Sequence, residues 1–344
     1  MRVFKDLFIR NLEADTYLEN FIISAIVSVF SIRIFLLLAD YPQLGGGIYH
    51  IAHIIWGGFF MLMALVILLS FMSQKAMAVA AVLGGIGFGA FIDELGKFIT
   101  SENDYFFEPT IAYIYIIFIL LYLISRLIPA YRKVSQREYL VNAIEMIKES
   151  AVNDFDKEEE AKAAEYLAKC NQKNPTVKAL KRLLDNLEIS PTPRPGLFTR
   201  IRTFFRRQYY AIAQSGIVLN GVIFFLAFQT FLAFSTSVSV SFTQPDLSFS
   251  ESGHLYSSIL AGLFVMIGLF ALRLSRTEAY RFFRIAVLIS ILLTDFFRLI
   301  KPEWTDGLFL AGNVFTLLVI NYAMHRDQQA KVVRKVRSGR GDRV

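Results

Sequence analysis

The chain has 344 residues, 55% of them hydrophobic and 15% aromatic, with only 19% charged and a formal net charge of +7. That is more apolar surface than one water-soluble core can hide, and nearly uncharged stretches alternate with a basic middle and a basic tail, so a soluble globular protein is excluded. A single cysteine, Cys170, rules out an internal disulfide and any cysteine-based zinc knuckle.

The N-terminal stretch MRVFKDLFIRNLEADTYLEN is charged and amphipathic rather than built like a secretory signal, so the first span is expected to act as its own insertion signal. A helix crossing a hydrocarbon core about 30 Å thick needs roughly 20 apolar residues. Such runs occur near 20–39, 51–72, 76–93, 109–128, 211–234, 255–273, 281–300 and 306–324. The third is interrupted by Gly84, Gly85, Gly87 and Gly89, which weaken a helix in water and favour close helix packing in lipid. The expected fold is therefore an all-α integral membrane protein with about eight transmembrane helices. Four spans form an N-terminal membrane half at 1–129 and four a C-terminal half at 211–325, and a basic cytoplasmic tail occupies 326–344.

Between the halves lies an insert, residues 130–210. YRKVSQREYLVNAIEMIKES, EEEAKAAEYLAKC and TVKALKRLLDNLEI carry apolar residues at helical spacing, and NQKNP between the last two is a turn signal. This predicts a cytoplasmic helical hairpin, with Cys170 as a small buried residue and 131–190 as a surface for a cytoplasmic protein partner. After the break SPTPRPG, the stretch LFTRIRTFFRRQYY sets Phe198, Ile201, Phe204 and Phe205 against Arg200, Arg202, Arg206 and Arg207. That pattern suits an amphipathic helix on the anionic lipids of the inner leaflet.

Lys and Arg set the orientation, since cytoplasmic flanks are enriched in them. Arg2, Lys5 and Arg10 precede span one, Lys75 separates spans two and three, Arg126, Arg132 and Lys133 follow span four, and the tail is basic from Arg326. Segments 40–50 and 235–254 hold neither residue. Both termini are thus expected in the cytoplasm of a bacterial cell, with the protein in the inner membrane. The basic tail reflects orientation and acidic lipid rather than nucleic acid, and self-association into a homo-oligomer is compatible with the pattern.

The two halves align. YHIAHIIWGGFF at 49–60 falls on GHLYSSILAGLF at 253–264, and AFIDELGKFI at 90–99 on ILLTDFFRLI at 291–300. The alignment pairs His50 with His254, Glu94 with Asp295 and Lys97 with Arg298, as a 4+4 parallel repeat would.

Three of four histidines, His50, His53 and His254, map to the extracytoplasmic ends of spans two and six, near Asp93, Glu94 and Asp295 at the ends of spans three and seven. Imidazoles plus carboxylates can bind a divalent metal such as zinc, which could activate water, or can hold a proton. Singly, each is as well explained by an interfacial position or by the intrahelical ion pairs Glu94–Lys97 and Asp295–Arg298. Arg33, deep in span one, needs a counter-ion, with Asp93, Glu94 and Asp295 as candidates. Arg33, Lys97 and Arg298 are also candidates for binding an anion or a lipid headgroup.

The stretch FIDELGKFITSENDYFFEP resembles a motif of uncharacterised bacterial multi-pass membrane proteins over residues 84–115. The resemblance implies a shared bacterial membrane family and no particular chemistry. A compositional likeness to membrane-embedded ceramidase-type hydrolases stops at the histidines, because the spacing here is His-x-x-His and later spans lack paired histidines. No P-loop is present, and GGIGFGAF follows no soluble strand. Three readings stay open: an extracytoplasmic metal-dependent or lipid-handling site, a small transporter or channel of two four-helix halves, and a structural or regulatory subunit.

Overall fold

The computed structural model describes residues 9–39, 53–101, 104, 107–130, 133–152, 155–187, 200, 204, 207–208, 211–243, 246–303 and 305–341. All regular structure among them is helical, and seven helices are long and apolar enough to cross a membrane. The chain divides into two compact units, residues 1–105 with 117–194 and residues 106–116 with 195–344.

In unit 1, helices α1 (Ala14–Leu38), α2 (His53–Ser70) and α3 (Gln74–Asp93) pack together with α3 against both others. Ser73 caps α3 by accepting a hydrogen bond from the Ala76 amide at 3.3 Å. The glycines of α3 decide how close its neighbours come. A Cβ on Gly85 would strike Ser24 and the Phe21 carbonyl of α1, and one on Gly89 the Ala25 carbonyl. On the α2 side, a Cβ on Gly87 would lie 2.6 Å from the Gly57 carbonyl oxygen. Ser28 Oγ closes the α1 contact by donating to the Ile86 carbonyl at 2.9 Å. Small residues thus fill the interior while Ile55, Trp56, Phe59, Leu62 and Leu69 of α2 face outward. This inverted distribution is stable where the surroundings are as apolar as the side chains. Next come α4 (Leu95–Ile99) and α5 (Thr110–Ala130), whose residues from Ile117 onward belong to unit 1.

The insert folds as α6 (Gln136–Ile147), α7 (Lys157–Ala168) and α8 (Pro175–Leu184), with a 3₁₀ turn at Lys148–Val152. Its helix starts are written in the sequence. Ser135 with Glu138 and Asp156 with Glu159 form capping boxes, and Asn174 caps α8 ahead of Pro175. Ala143, Met146, Phe155, Leu167, Cys170 and Val177 make its core, with Leu12 from the N-terminal segment packed against it. Arg10 forms a two-pronged ion pair with Glu138 (Nε–Oε1 2.9 Å, Nη2–Oε2 3.2 Å), and Asn142 bonds the Leu12 amide and the Arg10 carbonyl. Glu13 accepts from Lys162 Nζ at 2.9 Å and from Tyr166 Oη at 3.0 Å. The α2–α3 turn is held as well, through Gln74 N to Glu149 Oε1 at 3.0 Å and Lys148 Nζ to the Met72 carbonyl at 2.5 Å. The insert therefore grips the start of α1 and the α2–α3 turn, which fixes both at one end of the three-helix layer.

In unit 2, α9 (Gly216–Thr243), α10 (Phe249–Ala271), α11 (Arg276–Ile289), α12 (Asp295–Arg298) and α13 (Asp306–Gly341) pack together, with a π-helical turn at Ser290–Thr294 joining α11 to α12. Hydropathy ends the fifth span at 234, yet α9 runs to Thr243. The polar run STSVS does not stop it because Ser235 and Thr236 hydroxyls donate back to the Leu232 carbonyl. The seventh expected span, 281–300, is no single α-helix and is absent from the seven long apolar ones. Within its π turn the Ile291 carbonyl accepts from Tyr115 Oη at 2.5 Å, which supplies a partner where the α-helical ladder breaks. The expected amphipathic helix over 197–210 lies largely outside the described residues, as does the final Asp342–Val344 of the basic tail; α13 continues from the last span into that tail as far as Gly341.

Candidate functional site

Two polar clusters lie inside apolar surroundings, one in each unit. In unit 1, α3 ends at Asp93, and Glu94 sits at the joint between α3 and α4 with its carbonyl accepting from the Lys97 amide. Two consecutive carboxylates are thereby placed at the end of the layer opposite the insert. Arg33 from α1 and His53 from the start of α2 meet them there, because the glycines of α3 let both backbones approach.

Arg33 Nε donates to Asp93 Oδ1 at 2.5 Å and Nη2 to the Asp93 carbonyl at 3.1 Å. His53 Nε2 lies 3.1 Å from Asp93 Oδ2, and its Nδ1 lies 3.0 Å from Glu94 Oε1. The Ile54 amide points at the same Glu94 oxygen from 3.4 Å, as expected of a carboxylate at a helix N-terminus. The carboxylates are shut away, with side-chain exposures of 0% for Asp93 and 4% for Glu94, whereas His53 keeps 22% and Arg33 34%. Glu94 Oε2 is buried with no hydrogen-bond partner.

No family model, curated protein or solved structure matches the chain.

Of the expected set, the structure thus joins Arg33, His53, Asp93 and Glu94. His50 lies outside the described residues, and His254 and Asp295 belong to unit 2. The divalent-metal arrangement is not found: no group of three or more His, Cys, Asp or Glu side chains among the described residues is placed to hold an ion. The reason is geometric. Asp93 and Glu94 face opposite nitrogens of the His53 ring, so the ring separates them instead of converging with them on one point. The Glu94–Lys97 ion pair is replaced by the Glu94–His53 contact, with Lys97 half-buried on α4.

In unit 2, His254 Nδ1 lies 2.8 Å from Ser237 Oγ, and its Nε2 faces Arg298 Nη2 at 3.5 Å. A guanidinium offers only donors, so the bare ring nitrogen is Nε2 and the hydrogen sits on Nδ1, facing Ser237. Arg298 turns away from the intrahelical pairing with Asp295 toward Asp306 (Nε–Oδ1 3.5 Å), and its guanidinium lies 4.6 Å from the centre of the Phe309 ring. Asp295, 2% exposed, instead accepts from Asn313 Nδ2 at 2.8 Å, and Asn313 Oδ1 accepts from Gln229. These residues and Thr294 line a small cavity of about 10 Å³, room for a single water. Gln229, Asn313 and Ser237 were missed from the sequence. The signal was present for two of them, since an amide within FFLAFQTFLAF or FLAGNVFTLL needs a buried partner.

Proposed function

We propose that this chain is an inner-membrane protein of bacteria, crossing eight times with termini and insert in the cytoplasm, that conducts protons inward, with His53, Asp93 and Glu94 forming the outer end of the path and Arg33 fixing Asp93. The eighth crossing in this reading is Arg276–Arg298, in which the π turn joins two α-helical stretches into one path of sufficient length.

One observation carries the reading: a single imidazole has a carboxylate oxygen within 3.1 Å of each ring nitrogen. Carboxylates accept and do not donate, so making both contacts as hydrogen bonds requires two protons shared by Asp93, His53 and Glu94. The protons can both sit on the ring, or one can sit on a carboxyl that donates to the bare nitrogen. Moving a proton from Glu94 to Nδ1 while Nε2 releases one to Asp93 exchanges the form protonated on Glu94 for the form protonated on Asp93 without breaking the chain of contacts, and the form with both protons on the ring lies between them. With both protons present, the charges of Arg33, the ring and the two carboxylates sum to zero, the arrangement least costly to bury. His53 is more exposed than either carboxylate and is the entry for protons, while Arg33 fixes Asp93.

The test uses purified protein in liposomes loaded with a pH-sensitive dye, with a potassium diffusion potential set by valinomycin. Wild-type vesicles are expected to acidify faster than protein-free ones, and His53→Phe to remove at least roughly 90% of that excess, in line with loss of a positioned proton carrier. Wild-type vesicles that acidify no faster than empty ones would overturn the proposal.

A further inference from the structure

Unit 2 holds a second feature that the proton relay does not use. A pocket of about 370 Å³ opens among the last turns of α9, the first turn of α10, α12 and the start of α13. Sites for small organic ligands span roughly 300–1,000 Å³. Leu232, Val240, Phe297 and Phe309 give it apolar walls, and Arg298 and Lys301 bring two cations to it.

Arg298 is presented rather than consumed. Its contacts to Asp306 and His254 are both 3.5 Å, whereas charge-assisted hydrogen bonds run about 2.7–2.9 Å. The Phe309 face beneath it fixes the plane of the guanidinium. His254, held by Ser237, turns a lone pair toward Arg298 and orients it further. Three acids also line the pocket, Glu251, Glu303 and Asp306; two of them keep their charge but direct it at donors of the fold. Glu251 closes the capping box of α10 with Ser248, and Asp306 Oδ2 accepts from the Glu303 amide. Lys301 is exposed at the mouth beside Glu303, so the rim is not uniformly cationic, which disfavours a polyanion.

We infer that this pocket binds an amphipathic molecule with one anionic head, a carboxylate or a phosphate: the head meets Arg298 and Lys301, and the apolar body lies against Phe297, Phe309, Leu232 and Val240. A membrane lipid and a soluble organic acid share this chemistry. The site lies within one unit and shares no residue with the relay, so either proposal can fail alone.

The experiment measures calorimetric binding of octyl phosphate and octanoate to the full chain in phosphatidylcholine nanodiscs, with octanol and octyltrimethylammonium as controls for purely apolar and cationic binding. Saturable binding of at least one anion, with neither control competing, is expected. Arg298→Gln should weaken it about tenfold or more, the loss of one charge-assisted contact. Should that variant unfold, Lys301→Glu at the exposed mouth serves, with an expected loss of about threefold or more. Phosphatidylglycerol added to the discs distinguishes the source: competition with octyl phosphate supports a lipid occupant, and its absence with binding intact supports a soluble one. No saturable anion binding by wild type, or affinities unchanged in both variants, would overturn the inference.

Discussion

Replacing Asp93 by asparagine tests whether the Arg33–Asp93 contact is an ion pair on which unit 1 depends. The amide would keep the volume and one acceptor oxygen but remove the charge, leaving a guanidinium that lies at 2.5 Å from a fully buried side chain with no counter-charge at that position. Removing one partner of a buried pair costs about 3–5 kcal/mol. Because the Arg33 side chain is 34% exposed, the lower end applies, about 3 kcal/mol. For a chain of 344 residues that corresponds to roughly 4 °C in the unfolding midpoint. The double variant Arg33→Met with Asp93→Leu removes both charges and should recover at least about half of the loss, since no charge is stranded. The measurement is thermal unfolding in detergent for wild type, Asp93→Asn, the matched singles Arg33→Met and Asp93→Leu, and the double. A double variant as unstable as the sum of the singles would show that the two side chains act independently and that the charge argument is wrong.

The neighbouring glycines of α2 give a matched pair. A Cβ at Gly57 would lie 2.7 Å from the Gly87 carbonyl oxygen and 2.8 Å from the Phe91 amide, while one at Gly58 meets nothing within 4 Å. Gly57→Ala should therefore destabilise by about 1–3 kcal/mol through overpacking, and Gly58→Ala should be neutral or stabilising by up to about 1 kcal/mol, both read from unfolding midpoints. Burial pushes the Cys170 thiol up from its ordinary value of 9.0, so the folded protein should react with iodoacetamide far more slowly at pH 8 than the denatured chain, as mass spectrometry can score. The sign of the linkage follows: the folded state keeps this proton longer, so its contribution to stability is fully present below about pH 9 and is lost as pH rises through the higher folded value.

The sequence is most legible where a single physical demand dominates. Seven of the eight apolar runs long enough for a bilayer became single helices, and the capping residues Ser135, Asp156 and Asn174 marked the insert helices because a helix start must satisfy its own amides. The hydropathy signal ended too early in α9, where Ser235 and Thr236 satisfy themselves against their own helix. The π turn at Ser290–Thr294 left no signature, since the Tyr115 hydroxyl that partners the Ile291 carbonyl comes from a distant part of the chain. Within the cluster, Asp93 was one of three candidate partners for Arg33, and only the packing of α1 on α3 selects it. The neighbour rule on a helix put Lys97 beside Glu94 and Arg298 beside Asp295. In both cases a partner from another helix competes successfully, His53 for Glu94 and Asn313 for Asp295.

The grip of the insert on the start of α1 also imposes an order on biosynthesis. Glu13 leaves the ribosome long before Lys162 and Tyr166, which are 149 and 153 residues further on, and Arg10 waits 128 residues for Glu138. Throughout that interval the first spans are already entering the bilayer while the segment before α1 is still without its clamp. Only when translation has carried the α7 hairpin clear of the ribosome can that segment be fastened, so unit 1 is completed by a piece of chain made after its last long apolar helix.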